Sequence, residues 1–390
     1  ATGGTDYTDD DGGSVTFAAG TVTTTIDLSL TDDDDVEEDK TVTLSFTSGS
    51  LTNAGTGGTT SHTFTLNNDD FGSTGPAGVG LTDGTPSSSL DLWLRSDSGP
   101  ETASGAAPGN GDRVEAWRDE SGKGNDLTAP SSGERPFFRS ASGGSVDFEG
   151  DSYYNGSYYL TGDAIITGTT ARTFFTVIQP SSVSDGGPNK AAFALAPNND
   201  TIAAGYGLFI EEPGSNTGLG LRVEGNKLMD YTADGFSNAD LTDSPALIAG
   251  GGPASATLND TDFFFNGTLL RTVATSKDEG VTLNTNSGGV ALGGYDTDGS
   301  FENGFNTNYD FNGDIYEVIV FSTDLNDTRR ILVENYLAAK YDIALSGTDV
   351  YAGDTSANGD YDRGVFGIGQ ESSTDQHTAA ETDGLRFEVA

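Results

Sequence analysis

The chain has 390 residues, with 60 Asp or Glu against 18 Lys or Arg, which gives a formal net charge of −42 at pH 7. This charge argues against binding to nucleic acid or to an anionic membrane surface, because both require clusters of Lys and Arg. No apolar run approaches the length that spans a bilayer, so no membrane insertion is expected. The lack of Cys removes disulfides and thiolate chemistry, and the acidity favours divalent cations as partners.

Residues 1 to about 70 alternate apolar and polar side chains, which is the period of an antiparallel sheet with one solvated face. Strands are predicted at Ser14–Phe17, Val22–Leu30, Thr41–Phe46 and His62–Leu66. Between the second and third lies Asp32-Asp33-Asp34-Asp35-Val36-Glu37-Glu38-Asp39, with seven carboxylates in eight residues. Carboxylates this close repel one another. Either a Ca²⁺ ion, which takes roughly six to eight oxygen ligands, neutralises them, or the run is a solvated acidic loop.

Residues 71 to 89 are rich in Gly, Ser, Thr and Pro and show no periodicity, so they predict a linker. From Leu90 to about residue 345, short β-patterned segments predict a sandwich or jelly roll. The predicted strands of this region are Leu90–Leu94, Gly144–Phe148, Thr173–Ile178, Gly207–Ile210, Asp262–Phe265, Val290–Leu292 and Asp314–Phe321.

One helix is predicted after these strands, over Asp327–Tyr341, with Asn326 as its N-cap. Its apolar residues recur at helical spacing, which indicates a packing face; they are Leu332, Val333, Tyr336 and Leu337. After Ala344 the chain becomes rich in turn residues. Strands at Val365–Gly369 and Leu385–Val389 then predict the start of a further β-module.

Catalytic chemistry has little support in the sequence, so the chain is predicted not to be an enzyme. The only histidines are His62, in an alternating strand, and His377, in a polar loop, and no G-x-S-x-G elbow is present. A glycosidase needs two carboxylates, and Asp147 and Glu149 share one face of a predicted strand. Their apolar neighbours would face the core, which would leave both acids in solvent.

Exposed aromatic rings that stack on sugars are the best candidates for ligand binding. Four tyrosines lie in a Gly/Ser/Asn-rich stretch that is unlikely to bury them all: Tyr153, Tyr154, Tyr158 and Tyr159. Trp93 and Trp117 have apolar neighbours and are predicted to lie in the core. A second ion site is predicted at Asp296–Gly299 or at Asn308–Asp314, although hairpin turns use the same residue types.

The first seventy residues resemble the Calx-β domain, a β-sandwich whose distal loops bind Ca²⁺ at the junction with the next module. The resemblance rests on Thr5–Tyr7, the Ser14–Gly20 hairpin, the acidic run with Lys40–Leu44, and the exit Leu66–Asp70. It implies Ca²⁺ ligands at Asp6, Asp32, Asp33, Asp35, Glu37, Asp69 and Asp70. Lys40 and Asn68 stand where the family usually has acids, so about one or two ions are expected.

Residues 90 to 345 resemble the concanavalin A-like, laminin G-type jelly rolls of large bacterial surface proteins. The resemblance rests on Leu92–Arg95, Val114–Gly122, Gly124–Leu127, Ser145–Gly150, Phe265–Gly267, Phe311–Val318 and the helix end Tyr336–Tyr341. Residues 349 to 390 resemble the start of a module that follows such jelly rolls in Bacteroidota-type adhesins. The resemblance implies a secreted or surface-anchored protein.

The predicted fold is all-β: a partial Calx-β (Ig-like) sandwich over 1–70, a linker over 71–89, a concanavalin A-like jelly-roll sandwich with one C-terminal helix over 90–345, and the start of a β-domain over 346–390. Because the chain opens without a Met, we expect a longer parent polypeptide. The predicted function is a section of a secreted, bacterial cell-surface adhesin, stiffened by Ca²⁺. Its expected partners are a polysaccharide or cell-surface glycan and the adjacent domains. Two alternatives stay open: a spacer or filament subunit without ligand, and a jelly-roll glycosidase.

Overall fold

A computed structural model gives the architecture of the chain, which divides into two compact units, residues 1–72 and 73–390. Within them, the structure describes residues 2–3, 7–14, 16–21, 23–30, 40–45, 59–66, 75–82, 85–86, 89–148, 158–181, 190–195, 206–211, 218–223, 227–230, 239–257, 260–270, 282–285, 287–294, 311–359, 361–370, 372–373, 375–377, 379–382 and 385–388. No helix in these ranges is both long enough and apolar enough to cross a membrane.

The first unit contains two short antiparallel pairs of strands in its described part. The strands are β1 (Tyr7–Asp9), β2 (Leu28–Leu30), β3 (Lys40–Ser45) and β4 (Ser61–Leu66). β3 and β4 confirm two predicted strands, whereas Ser14–Phe17 is not a strand where it is described and Val22–Leu30 is one only at its end. Phe17 and Ile26 are exposed in these two stretches. Alternation alone does not fix a strand whose apolar side chains are exposed.

The second unit is built mainly from strands. The described strands are β5 (Leu81–Thr82), β6 (Thr85–Pro86), β7 (Leu90–Arg95), β8 (Pro100–Glu101), β9 (Ala116–Trp117), β10 (Leu127–Thr128), β11 (Phe137–Arg139), β12 (Ser145–Asp147), β13 (Leu160–Gly162), β14 (Arg172–Pro180), β15 (Lys190–Leu195), β16 (Tyr206–Glu211), β17 (Gly218–Val223), β18 (Lys227–Asp230), β19 (Ala246–Gly252), β20 (Asp262–Phe265), β21 (Thr268–Leu269), β22 (Val290–Leu292), β23 (Gly313–Phe321), β24 (Gly369–Gln370), β25 (Gln376–His377), β26 (Ala379–Thr382) and β27 (Leu385–Glu388). Its helices are α1 (Ala239–Thr242) and α2 (Asp327–Tyr341), with 3₁₀ turns at Pro76–Gly78, Ala141–Gly143 and Ser356–Asn358.

Two large antiparallel sheets form a sandwich. The nine-stranded sheet has the order β18-β17-β16-β15-β22-β13-β10-β9-β8. The eight-stranded sheet has the order β11-β12-β23-β14-β19-β20-β21, and β7 pairs with the second half of β23. One apolar core joins the two sheets; across it, the Phe174 and Phe193 rings lie 5.7 Å apart. Trp117 is fully buried in this core, and Trp93, on the opposite face of the eight-stranded sheet, is 6% exposed, which confirms their predicted burial.

Helix α2 covers the outer face of the eight-stranded sheet. It spans Asp327–Tyr341 as predicted, and the Asn326 side chain accepts a hydrogen bond from the Arg329 amide at 3.0 Å, so the predicted N-cap is confirmed. Val333 and Leu337 pack on outward-facing residues of β14 and β23. These central strands are therefore buried on both faces, which explains their nearly continuous apolar sequences. The predicted all-β fold with one long C-terminal helix is confirmed.

Part of the predicted linker and of the predicted C-terminal module folds onto the jelly roll. Ala77 and Val79 are buried in the same cluster as α2, and the Gly367 amide donates to the Ala77 carbonyl at 3.2 Å. Because these two apolar side chains fill a space beside the helix, the described residues between 75 and 82 are not free chain. The strand predicted at Val365–Gly369 is irregular up to Gly369, where β24 begins.

Candidate functional site

The predicted Ca²⁺ ligands lie outside the described residues; they are Asp6, Asp32, Asp33, Asp35, Glu37, Asp69 and Asp70. The alternative ion site at Asp296–Gly299 lies outside as well, and so do residues 308–310 of the one at Asn308–Asp314. Within the part that the structure describes, no group of three or more His, Cys, Asp or Glu side chains could hold a metal. The Ca²⁺ site of the first unit therefore stays a prediction.

The exposure predicted for two of the four tyrosines is wrong. Tyr158 is 8% exposed and packs edge-on against Phe137, with ring centroids 5.5 Å apart. Tyr159 is 2% exposed and contacts Ala291. Their positions immediately before β13 place them inside the sandwich and against a neighbouring strand. Tyr153 and Tyr154 lie outside the described residues, so sugar stacking by these two stays a prediction.

The solvent exposure predicted for Asp147 and the loop position predicted for His377 are also wrong. Asp147 is 3% exposed because Arg139 of the adjacent strand β11 covers it, with the guanidinium Nε 2.7 Å from the carboxylate. His377 is buried on β25, 3.2 Å from the Gly78 carbonyl. His62 is exposed on β4, next to Phe64. These surroundings give none of the three residues a catalytic arrangement.

A cleft of about 500 Å³ lies on the nine-stranded sheet, and its lining is mostly polar. The lining residues are Asp126, Thr128, Pro130, Thr161, Gly162, Asp163, Ala164, Ser287, Gly288 and Gly289. Strand pairing brings them together, because Thr128 lies opposite Thr161 and Gly162 lies opposite Val290. Sequence reasoning missed this site, since the register of strands far apart in the chain creates it.

The alternation of side chains explains why the cleft is polar. Leu127 and Leu160 are fully buried in the core, so their neighbours Thr128 and Thr161 point to the opposite, outer face of the sheet. Gly162 allows the strands to approach closely, because a Cβ there would lie 3.0 Å from the Asp126 carbonyl oxygen. The outer face therefore presents hydroxyls and carboxylates beside the backbone of Gly162.

Asp126 is held in a fixed orientation at the cleft wall. Its carboxylate accepts from the Asp119 amide at 2.8 Å and from Arg118 Nη1 at 2.6 Å. Hydrogen bonds to Glu101 and Asp126 raise the pKa of Arg118, which thus stays cationic. Asp163 is exposed and makes no hydrogen bond or ion pair with another described residue. One carboxylate is thus oriented and the other is free to meet a ligand.

The loop before Asp126 owes its shape to Asp119. The Asp119 carboxylate accepts from the backbone amides of Trp93, Ser121 and Asn125 at 2.9, 3.0 and 2.9 Å. Such side-chain acceptors replace the regular ladder in a turn. The Val114–Leu127 stretch, which supports the laminin G resemblance, therefore has a structural role in placing one wall of the cleft.

A second polar cluster, also missed from the sequence, lies buried under α2 around Glu317. This carboxylate is fully buried and accepts from Trp93 Nε1 at 2.7 Å, Tyr336 Oη at 2.9 Å, Tyr341 Oη at 2.8 Å and Lys340 Nζ at 2.7 Å. Burial and the nearby Glu317 charge raise the pKa values of Tyr336 and Tyr341, so both phenols stay protonated donors. The signal in the sequence was an acidic residue in the middle of the otherwise apolar run Ile315–Phe321.

Comparison with known proteins gives no family model and no curated protein that matches this chain. Similar solved structures include domain 4 of an extracellular arabinanase from Geobacillus stearothermophilus bound to arabinotriose, at 12% identity, with 63% of this chain and 97% of that chain covered and a TM-score of 0.36. A Trypanosoma rangeli sialidase bound to sialic acid has 12% identity over 65% of this chain and 34% of its own, with a TM-score of 0.38. An arabinofuranosidase has 13% identity over 66% and 60%, with a TM-score of 0.39.

These similarities correct the prediction that the chain is not an enzyme. The similar structures include a sialidase and an arabinofuranosidase. Identities and TM-scores this low assign neither a ligand nor an activity to this chain, because one fold carries many functions. The Calx-β and laminin G resemblances stay predictions.

Proposed function

We propose that the second unit is a carbohydrate-binding β-sandwich whose sugar site is the cleft on the nine-stranded sheet. The observation that carries this proposal is the polar cleft of about 500 Å³ formed where β10, β13 and the approach to β22 meet. Its volume lies within the range of small-molecule sites, roughly 300–1,000 Å³.

The lining suits a hydroxyl-rich ligand. Thr128, Thr161 and Ser287 supply hydroxyls that both donate and accept, while Asp126 and Asp163 supply acceptors. A saccharide offers donors and acceptors on every ring, so it can satisfy this mixture. Pro130 and Ala164 give small apolar surfaces against which the C–H faces of a sugar can lie.

The charge of the cleft favours uncharged saccharides over acidic ones. Both ionisable residues in the lining are aspartates, and the whole chain carries −42. Two like charges brought together in a binding site repel, so the aspartates weaken the binding of an acidic saccharide but not that of a neutral one. Neutral oligosaccharides are therefore the proposed ligands.

The test is calorimetric titration of neutral oligosaccharides into the full chain and a Thr128→Val/Thr161→Val variant. Val keeps the shape and the strand preference of Thr but removes the hydroxyl. Loss of two hydrogen bonds of about 1 kcal/mol each predicts a decrease in affinity of roughly tenfold or more. Thr268→Val, on the exposed strand β21, is the matched control. Equal affinity of the double variant and the control would contradict the assignment of the cleft.

Glycoside hydrolysis is a second candidate, because Asp126 and Asp163 line the same cleft. Glycosidases use one carboxyl group as acid and a second as base or nucleophile. Release of new reducing ends from a polysaccharide, lost in both Asp126→Asn and Asp163→Asn, would support it. Binding without any release of reducing ends would leave the cleft as a binding site alone.

In the same proposal, the protein works as a section of a secreted cell-surface adhesin, with Ca²⁺ bound at the acidic loop of the first unit. The high density of carboxylates at Asp32–Asp39 and the net charge of −42 support this setting. The expected result is a Ca²⁺-dependent rise in melting temperature that a chelator reverses and that Asp33→Ala/Glu37→Ala abolishes. An unchanged rise in the double variant would contradict these ligands.

A further inference from the structure

The buried cluster under α2 brings a lysine amine against two carboxylates. Lys340 Nζ lies 2.7 Å from Glu317 Oε2 and 3.0 Å from Asp97 Oδ1. The three side chains are 5%, 0% and 12% exposed, respectively. Lys340 comes from the last turn of the helix, Glu317 from the middle of β23, and Asp97 from the turn that follows β7. Three separate elements therefore converge on one nitrogen.

Aromatic side chains and Glu317 hydrogen bonds close the cluster. The Lys340 nitrogen lies 5.6 Å from the Tyr336 ring centroid and 5.2 Å from that of Tyr341. Trp93 and the two tyrosines direct their polar hydrogens at Glu317. Glu317 is thus fixed as a proton acceptor next to the amine, in a place where little water competes.

Arg95 hydrogen-bonds to both oxygens of the second carboxylate, Asp97. Its Nε lies 3.2 Å from Asp97 Oδ1 and its Nη2 lies 3.1 Å from Oδ2. Burial alone would raise the pKa of Asp97, but Lys340 and Arg95 outweigh it and hold the pKa below its usual value. A guanidinium bonded to both oxygens is placed to stabilise the negative charge that develops when a nucleophile adds to this carbon.

We propose that Lys340 Nζ and Asp97 Cγ condense to form an intramolecular amide. One proton of the Lys340 ammonium first passes to Asp97 Oδ1, 3.0 Å away, which gives a neutral amine and a neutral carboxyl group. The amine adds to Asp97 Cγ, Arg95 stabilises the tetrahedral oxyanion, and Glu317 takes a second proton from the nitrogen. Glu317 then passes that proton to the departing hydroxyl, which leaves as one water. An N–C bond forms, a C–O bond breaks, and the ammonium and carboxylate charges cancel.

Proximity and burial favour this step. The fold holds the Lys340 amine 3.0 Å from the Asp97 carboxyl group with which it reacts. This makes an otherwise bimolecular reaction effectively unimolecular. The product also removes two charges from a site that is almost free of solvent, where an ion pair barely repays its cost of desolvation. The step needs no oxidant and no co-reactant.

The amide would connect the beginning and end of the jelly roll. Asp97 and Lys340 are 243 residues apart in the chain, with Asp97 just after the first strand of the large sheets and Lys340 in the terminal helix. A link that closes so long a loop restricts the unfolded chain strongly. In a chain without cysteine, it would serve the purpose for which other extracellular domains use disulfides.

The deciding measurement is the intact mass of the full chain by electrospray mass spectrometry under denaturing conditions. The expected mass is lower than that of the sequence by one water, and Lys340→Arg and Glu317→Gln restore the full mass expected for each variant. Lys123→Arg is the matched control, because Lys123 pairs with Asp91 at 3.2 Å but is 37% exposed; it should keep the deficit. A wild-type mass equal to that of the sequence would overturn the proposal.

Peptide mapping identifies the acceptor. Proteolysis should yield one branched peptide that contains Asp97 and Lys340, with Lys340 protected from trypsin. A branched peptide that joins Lys340 to Glu317 instead would overturn the roles given to the two carboxylates. Both measurements use the wild-type chain, so neither depends on a variant that folds poorly.

Discussion

The two large sheets of the second unit have very different outer faces. The outer face of the eight-stranded sheet is covered by α2, and residues such as Phe175 and Ile319 are fully buried beneath it. The outer face of the nine-stranded sheet presents Thr128 and Thr161 to a cleft. One sandwich therefore combines a closed face and an open face around a shared core.

The polar residues of the two faces differ in the same way. Under the helix, Glu317 accepts from four donors that all belong to the protein itself. In the cleft, Asp126 is oriented by Arg118, whereas Asp163 is exposed. Buried charges must be paired within the protein, while exposed ones can be paired by a ligand. Substitutions on the closed face should therefore change stability, and substitutions on the open face should change binding.

The largest effect is expected from Lys340→Met on the closed face. Removing the cation leaves the fully buried Glu317 with neutral donors only and Asp97 with Arg95 alone, and it prevents the proposed amide, which should lower the free energy of unfolding by about 3–5 kcal/mol. Urea denaturation of the full chain measures it. Lys123, which is 37% exposed where it pairs with Asp91, provides the contrast, because removal of this partly solvated cation in Lys123→Met should cost only about 1 kcal/mol. Equal losses would remove the distinction between the two kinds of charge.

His377 makes the packing of the 75–82 segment beside α2 sensitive to acid, because its ring lies 3.2 Å from the Gly78 carbonyl. Burial and the nearby Arg329 outweigh the Gly78 hydrogen bond and lower the pKa of His377 to about 4, from 6.5. Because the folded state resists protonation of His377, the contribution of the neutral ring to the free energy of unfolding is complete above the unfolded pKa of 6.5. It falls as the pH drops from 6.5 towards 4. Between about pH 7 and pH 4.5, the wild type should lose about 2 kcal/mol more than His377→Gln. Parallel losses of unfolding free energy in both proteins would contradict the lowered pKa.

The N-cap of α2 should contribute a smaller amount. Asn326 accepts from the Arg329 amide and donates through Nδ2 to the Gln376 carbonyl at 3.1 Å. Asn326→Ala removes both bonds and should destabilise the unit by about 1–2 kcal/mol. Asn326→Asp, which keeps the cap acceptor but loses the donor, should fall between the wild type and the Ala variant. A loss for Asp as large as that for Ala would show that the tail contact matters more than the cap.

Local patterns were sufficient to predict α2 and several central strands. The helix follows from an apolar stripe and a capping residue, both read within fifteen neighbouring positions. β20 and β22 occupy the predicted residues, because their apolar runs are bounded by turn residues. These elements depend mainly on residues close in sequence, so the sequence alone is informative.

The candidate site could not be predicted in the same way. Thr128 and Thr161 meet only because β10 and β13 pair in one particular register, and a slip of one strand by one residue would turn its threonine into the core. Asp147 was assigned to solvent because the covering Arg139 belongs to another strand. The exposure predicted for Tyr158 was wrong for a related reason, since Phe137 and Arg113, from a different part of the chain, enclose its ring. Long-range pairing decides each of these cases.

The smallest effect on stability, and the sharpest on binding, is expected from Asp163→Asn on the open face. This carboxylate is exposed, so its loss should leave the free energy of unfolding within about 0.5 kcal/mol of the wild type. If the cleft selects by charge, lactose should bind wild type more tightly than sialyllactose, and Asp163→Asn should narrow that difference severalfold without weakening lactose. The comparison rests on the proposed sugar site, and titration of both sugars into both proteins measures it. A cleft whose ionisable lining residues are both aspartates repels the carboxylate of sialyllactose. Tighter binding of sialyllactose than of lactose by the wild type would therefore show that the aspartates do not control selection.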